Sequence, residues 1–282
     1  MVHRRVVRAS LLAAVLLYVP ASAAQASPYY WTDWIAGDTC PASPCVGING
    51  TMTTPTTTVG VSYLNNQGIG FLNSGAPGET DYWANGNAMF SLTRTLATSP
   101  YTRTTVDNIP TGTDMIALQF AGEQRLTFSV PIANPVFAFT SLNFNGYSFR
   151  NQDFEILSLA GFDGNNAGYW GCGPAQRVVV NPFSPGNPTA DTLYQLNQVG
   201  SGCGVAGVLQ TEPHGTIRFL GTFSELVWTS QSNEFWNGFT VGVQGTAREV
   251  FPDPGTPVPE PGTLVLIGTG IAIAAVRLRR RR

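Results

Sequence analysis

Between Met115 and Val130 the chain reads MIALQFAGEQRLTFSV, and its apolar residues return at every second position. In Met115–Phe120, Ile116, Leu118 and Phe120 share one face. In Arg125–Val130, Leu126, Phe128 and Val130 lie opposite Arg125, Thr127 and Ser129. A period of two belongs to a strand with one buried face, whereas a helix would repeat near 3.6. The intervening AGEQ predicts a hairpin between the two. The same pattern recurs at Thr57–Leu64, Pro135–Leu142, Phe144–Phe149, Asp153–Leu159, Arg177–Val180, Thr216–Leu220, Phe223–Thr229 and Phe239–Gln244, punctuated by Gly, Asn and Pro. So many short strands predict an all-β fold, an antiparallel β-sandwich of jelly-roll type. No solenoid-length repeat interrupts it.

Both termini depart from this pattern. MVHRRVVRAS supplies a charged start, Leu11–Val19 an apolar run of about nine residues, and ASAAQAS a small-residue stretch with cleavage expected between Ala26 and Ser27. This is the pattern of a secretory signal peptide, a short helix at the N-terminus. The run is too short for a membrane anchor, which needs about 20 apolar residues. At the other end Gly262–Val276 is apolar or small throughout and is followed by Arg277, Arg279, Arg280, Arg281 and Arg282. With Leu278 it reaches the lower length limit of a membrane helix, and a flanking arginine cluster stays cytoplasmic. Together the ends predict a middle that is exported and a tail held inside.

VFPDPGTPVPEPG, just upstream, places five prolines in a stiff extended spacer that presents Pro259, Glu260 and Pro261. The triplet, the short apolar helix and the terminal arginines, in that order, resemble the PEP-CTERM sorting signal of Gram-negative bacteria. That resemblance implies recognition and cleavage by a membrane-embedded exosortase, with only a transient stay in the inner membrane. It also implies a destination at the cell surface or in an exopolysaccharide matrix. TDYW, DMIALQF, RLTFSVPIANPVFAFTSL, FEILSLAGFDGNNAGYWGCG, EPHGTIRFLGTF and LVWTSQSNEFWNGFTVGVQG are similar, in order, to the extracellular domain of a PEP-CTERM subgroup without assigned activity. The expected organisation is a signal peptide over 1–26, a β-sandwich over 27–245, a Pro-rich linker over 246–258 and the sorting signal over 259–282.

Charge narrows the partners. The fifteen basic residues are all arginine, and eight stand at the termini; between Ser27 and Pro259 seven arginines face sixteen acids. An acidic domain without a basic stripe has nothing to displace counterions from a phosphate backbone, which argues against nucleic acid as a partner. Cys40, Cys45, Cys172 and Cys203 make an even set in an exported segment, as expected of disulfides. Of the three possible connectivities, Cys40–Cys45 with Cys172–Cys203 is favoured. Neither pair has the spacing of a zinc site.

Catalytic chemistry is thinly supported. Serine hydrolysis needs a histidine base. Outside the signal peptide only His214 is available, and no Gly-x-Ser-x-Gly elbow exists. Glu212 stands two residues from it, across Pro213, and a solvated or turn histidine is the expectation. Two carboxylates facing each other would suit glycoside hydrolysis. Asp153 and Glu155 are neighbours along one strand, while Glu225 and Glu234 flank an expected hairpin. Asp163 and Asn165 in FDGNNAG offer oxygen ligands to calcium, the one cofactor weighed, although Asp, Gly and Asn are also what a turn requires. Trp31, Trp83, Trp170 and Trp236 stand near other aromatics in turn-like contexts, where flat rings can stack on sugars. The reading that follows is a surface or matrix protein without catalytic activity. A carbohydrate-binding module is the alternative, and a glycoside hydrolase or lyase the third possibility.

Overall fold

The computed structural model describes residues 29–35, 46–84, 99–102, 109–143, 145–162, 164–165, 170–171, 173–181, 191–199 and 212–251. In chain order the strands are β1 (Tyr30–Trp31), β2 (Asp33–Ile35), β3 (Val46–Thr53), β4 (Thr58–Asn65), β5 (Phe71–Asn73), β6 (Met115–Leu118), β7 (Gly122–Ala133) and β8 (Val136–Thr140). They continue with β9 (Gly146–Arg150), β10 (Phe154–Leu159), β11 (Ala175–Val180), β12 (Leu193–Gln198), β13 (Gly215–Phe219), β14 (Thr222–Ser230) and β15 (Asn237–Val243). One sheet runs β10-β13-β8-β15-β6-β5, with β1 added on β15; the other runs β11-β12-β9-β14-β7-β4-β3-β2. All pairings between these strands are antiparallel, and the two sheets pack as a sandwich.

The core between the sheets is aromatic. Phe137, Phe139 and Phe239 come from the seven-stranded sheet and Tyr63, Tyr147, Phe149 and Trp228 from the eight-stranded one, all fully buried. Phe137 is at the centre: its ring stacks on Phe239 with centroids 5.1 Å apart and meets Trp228 edge-on at 5.3 Å. Each such side chain contributes roughly 1.5–3 kcal/mol by burial, and each well-placed ring pair about 0.5–1.5 kcal/mol more.

Alternation in the eight-stranded sheet follows directly from this core. Along β7, Leu126 and Phe128 point inward while Glu123 and Thr127 are exposed. The seven-stranded sheet is different, because both of its faces are covered. Val136 and Ala138 alternate with Phe137 and Phe139 along β8 and join a second cluster with Tyr29, Trp31, Trp83, Tyr101, Ile109 and Met115. β6, β8 and β15 are therefore buried at every position.

This double burial corrects one expectation. β6 and β7 are not a hairpin: β6 pairs with β5 and β15, whereas β7 pairs with β4 and β14 in the opposite sheet. AGEQ carries the chain from one sheet to the other, since a strand buried on both faces has no place beside one that exposes Glu123 and Thr127. β14 and β15 are divided between the sheets in the same way, so Glu225 and Glu234 do not flank a hairpin.

The described fold ends in α1 (Ala247–Val250), a single turn inside the expected linker. Thr246 and Glu249 form a capping box, and the Glu249 carboxylate also accepts hydrogen bonds from Thr54, at 2.8 Å, and from Thr56 in the β3–β4 turn. Ala26 and Ser27, the four cysteines and the whole of 252–282 lie outside the described residues, as do the helices expected at the two ends. No helix among the described residues is long and apolar enough to cross a membrane.

Candidate functional site

One end of the sandwich gathers two carboxylates and several rings from loops far apart in sequence. β8 ends at Thr140, and Ser141 turns with φ of 58°, a left-handed conformation that costs a residue with a Cβ about 1–2 kcal/mol. The turn aims its hydroxyl at Glu212 Oε2, which accepts at 2.7 Å. Asn143 then bridges two acids: its side-chain amide donates to Glu212 Oε1 at 3.3 Å and its backbone N–H to Glu234 Oε2 at 3.1 Å. The other oxygen of Glu234 accepts from Asn145 at 2.9 Å and from Asn237. Asn237 in turn accepts from the Tyr147 hydroxyl.

Burial raises the Glu234 pKa to about 7 against the lowering effect of its hydrogen bonds, and the nearby Glu212 charge adds to the rise. Burial also raises Glu212, opposed by the Ser141 hydrogen bond. Glu234 is therefore held partly protonated near neutral pH.

Four half-buried rings form a separate group at this end, where Phe71, Tyr82 and Trp236 pack on the cluster that covers the seven-stranded sheet. Trp236 follows Glu234 by two residues, and the Trp170 carbonyl accepts the Glu212 N–H at 3.0 Å. Trp170 and Trp236 meet at right angles with centroids 5.1 Å apart; Tyr82 lies 4.9 Å from Trp236, and Phe71 5.2 Å from it. Phe235, at the tip of the same loop, is 86% exposed. The neighbouring β6–β7 segment is tied in through Glu234 N–H to the Gln119 carbonyl at 3.2 Å and Ala121 N–H to the Asn233 side chain at 2.7 Å, and it carries the exposed Phe120.

The fold separates the four tryptophans weighed as a sugar platform. Trp170 and Trp236 come together at this end, partly exposed. Trp31 and Trp83 are buried in the layer covering the seven-stranded sheet, where the Trp83 indole donates to the Asp114 carbonyl at 3.0 Å, so neither offers a free face. Tyr82 and Phe71 take their places. Nothing short of the fold would have found Phe71, whose sequence context is an ordinary strand.

His214 is also placed differently from the solvated position expected of it. It is 1% exposed, and its Nδ1 lies 2.9 Å from the Glu212 carbonyl oxygen while the Glu212 side chain turns to Ser141 and Asn143. Glu225 pairs with Arg125 at 2.6 Å on the outer face of the eight-stranded sheet, Glu155 with Arg218 and Asp153 with Arg177. The acid that meets Glu234 is thus Glu212, which sequence spacing could not indicate. Of the calcium candidates, Asp163 lies outside the described residues, and the Asn165 side chain donates to the Leu159 carbonyl at 3.1 Å. Among the described residues no group of three or more His, Cys, Asp or Glu is arranged to hold a metal ion.

The fold thus defines an all-β sandwich with an aromatic, acid-bearing end. The C-terminal comparison gives the rest: residues 257–282 match the PEP-CTERM protein-sorting motif. The chain is an exosortase substrate, exported and sorted to the cell surface. No curated protein and no solved structure matches it.

Proposed function

We propose that this protein is a non-catalytic component of the cell surface or of the exopolysaccharide matrix, which acts by being delivered there and making contact. The sorting motif carries the reading: it marks the chain for export and exosortase processing, with the inner membrane as a temporary holding point. Among the side chains weighed as catalytic, His214 and Glu225 are engaged in ways that suit structure. His214 is buried against a backbone carbonyl, and Glu225 is neutralised by Arg125. Within the sandwich we favour a jelly-roll path, supported by the regular exchange of successive strands from β6 to β10 between the two sheets. The test is fractionation of the producing cells. The processed protein is expected in the surface or matrix fraction, and release of sugar from that matrix by the purified protein would replace this reading with a hydrolase or lyase.

A second reading, a carbohydrate-binding module, is favoured by the end that carries Phe71, Tyr82, Trp170 and Trp236. Partly exposed aromatic faces suit the apolar faces of a sugar chain. Retention of the protein on a glycan array tests it, and absence of any retention refutes it.

A further inference from the structure

We propose that a groove on the outer face of the eight-stranded sheet takes a stretch of neutral polysaccharide chain. The proposal rests on the carbohydrate-binding reading for its ligand class and assigns that ligand a surface other than the aromatic end. The groove exists because two strands part. β14 pairs with β9 only over Trp228–Ser230. Beyond Trp228 it follows β7 through a bulge between Phe223 and Glu225, which bends it away, while β9 continues beside β12. The side chain of Gln152 stands in for the missing ladder: its Oε1 accepts the Val227 N–H at 2.9 Å and its amide donates to the Val227 carbonyl. The opening has a volume of about 680 Å³, within the range of roughly 300–1,000 Å³ typical of ligand sites.

The lining matches both surfaces of a sugar chain. Val227, Leu193 and Phe223, all half-buried, give apolar strips for the C–H faces of its rings. Around them stand Arg125 and Arg150 with Glu123 and Glu225. The Arg125 guanidinium is clamped between Glu225, at 2.6 Å, and Glu123, at 3.1 Å. All three groups are thereby fixed in place with donors and acceptors to spare. Ser148 Oγ accepts from Gln195 at 3.0 Å and from Gln231 at 2.9 Å, which leaves its own O–H for a ligand. The Arg150 side chain is 71% exposed and its contact with Asp191 is stretched to 3.4 Å, so it can turn to a ligand at small cost. Fixed donors and acceptors side by side suit a hydroxyl group, which donates and accepts at once. Two arginines balanced by two glutamates along the groove give it no net charge with which to select a polyanion or a cation.

The experiment measures, by calorimetry, binding of the full processed protein to hexamers of β-linked glucose, mannose and N-acetylglucosamine and to a hexamer of galacturonate. At least one neutral hexamer is expected to bind, with an affinity that changes little between about 0.05 and 0.5 M salt, a range over which screening weakens a charge-led contact. Arg150→Ala should weaken it about tenfold, the scale of one hydrogen bond from a charged group, and Ser148→Ala about threefold, the scale of a neutral one. Trp236→Ala, at the aromatic end, and Arg218→Gln, on the other sheet, should leave it unchanged. A melting curve for each variant identifies any that fails to fold, and Arg150 and Ser148 give independent tests.

A neutral hexamer whose affinity neither Arg150→Ala nor Ser148→Ala changes overturns the groove; if Trp236→Ala then abolishes binding, the carbohydrate reading stands at the aromatic end alone. Equal loss in Arg218→Gln overturns the groove as well, because the contact would not belong to this face. Tighter binding of the galacturonate, lost as salt rises, overturns the neutral ligand class. No binding of any probe removes both readings.

Discussion

Glu234 makes the protein's stability depend on pH in a direction that can be worked out. Its folded-state pKa is raised to about 7 by burial, whereas the unfolded chain holds an ordinary glutamate near 4.3. The folded protein therefore binds the proton more tightly, and the stabilisation is fully present below about pH 4. It is lost as pH rises through the folded value. A difference of this size corresponds to at most about 3–4 kcal/mol at 1.36 kcal/mol per unit. The side chain is partly exposed, and screening reduces the expected loss between pH 5 and pH 8 to about 1–2 kcal/mol. For a domain of this length that is a fall in Tm of roughly 2–8 °C. Glu212, and Asp114 with its pKa raised by burial to about 6, act in the same direction. The diagnostic quantity is therefore the difference between wild type and Glu234→Gln, measured by thermal melts across the range. The variant should lose part of the pH dependence, so its stability relative to wild type should improve from pH 5 to pH 8. Parallel curves for the two proteins would refute the assignment of a raised pKa to Glu234.

Three further outcomes follow from packing. Phe137→Ala leaves a cavity at the meeting point of both sheets and should cost about 3–5 kcal/mol in denaturant unfolding. A Cβ added at Gly215 would fall well inside contact distance of the Ser158 carbonyl oxygen, so Gly215→Ala should push β10 from β13 and destabilise the fold by about 1–3 kcal/mol. Glu249→Ala removes the clamp joining α1 to the β3–β4 turn. It should speed hydrogen exchange at Thr246–Phe251 while leaving the centre of β8 protected, at a cost of about 1 kcal/mol.

Much of the sandwich was legible because strands facing water on one side write that fact into every second residue. Arg125–Val130 and Phe223–Thr229 lie inside β7 and β14, and no long helix interrupts the described fold. β3 escaped notice because Gly47 and Gly50 break its pattern; Gly50 is required where Thr32, the Asp33 backbone and Trp34 leave no room for a Cβ. The false β6–β7 hairpin arose because local spacing reports that two strands exist and says little about which sheet receives each. The site was less legible for the same reason. Glu212 and Glu234 meet only because loops from β8, β13 and β14 converge, and Trp83 is hidden only because a second layer covers the seven-stranded sheet. One local signal was readable and passed over: Thr246-x-x-Glu249 is a capping box, and it places a helical turn at the head of the expected linker.

The most direct test of the account is the intact mass of the mature protein from cells with and without their exosortase. The account predicts a chain that begins near Ser27 in both and ends near Pro259-Glu260-Pro261 only when the exosortase is present. A mass that retains Arg277–Arg282 in both would contradict it and make the tail a permanent anchor.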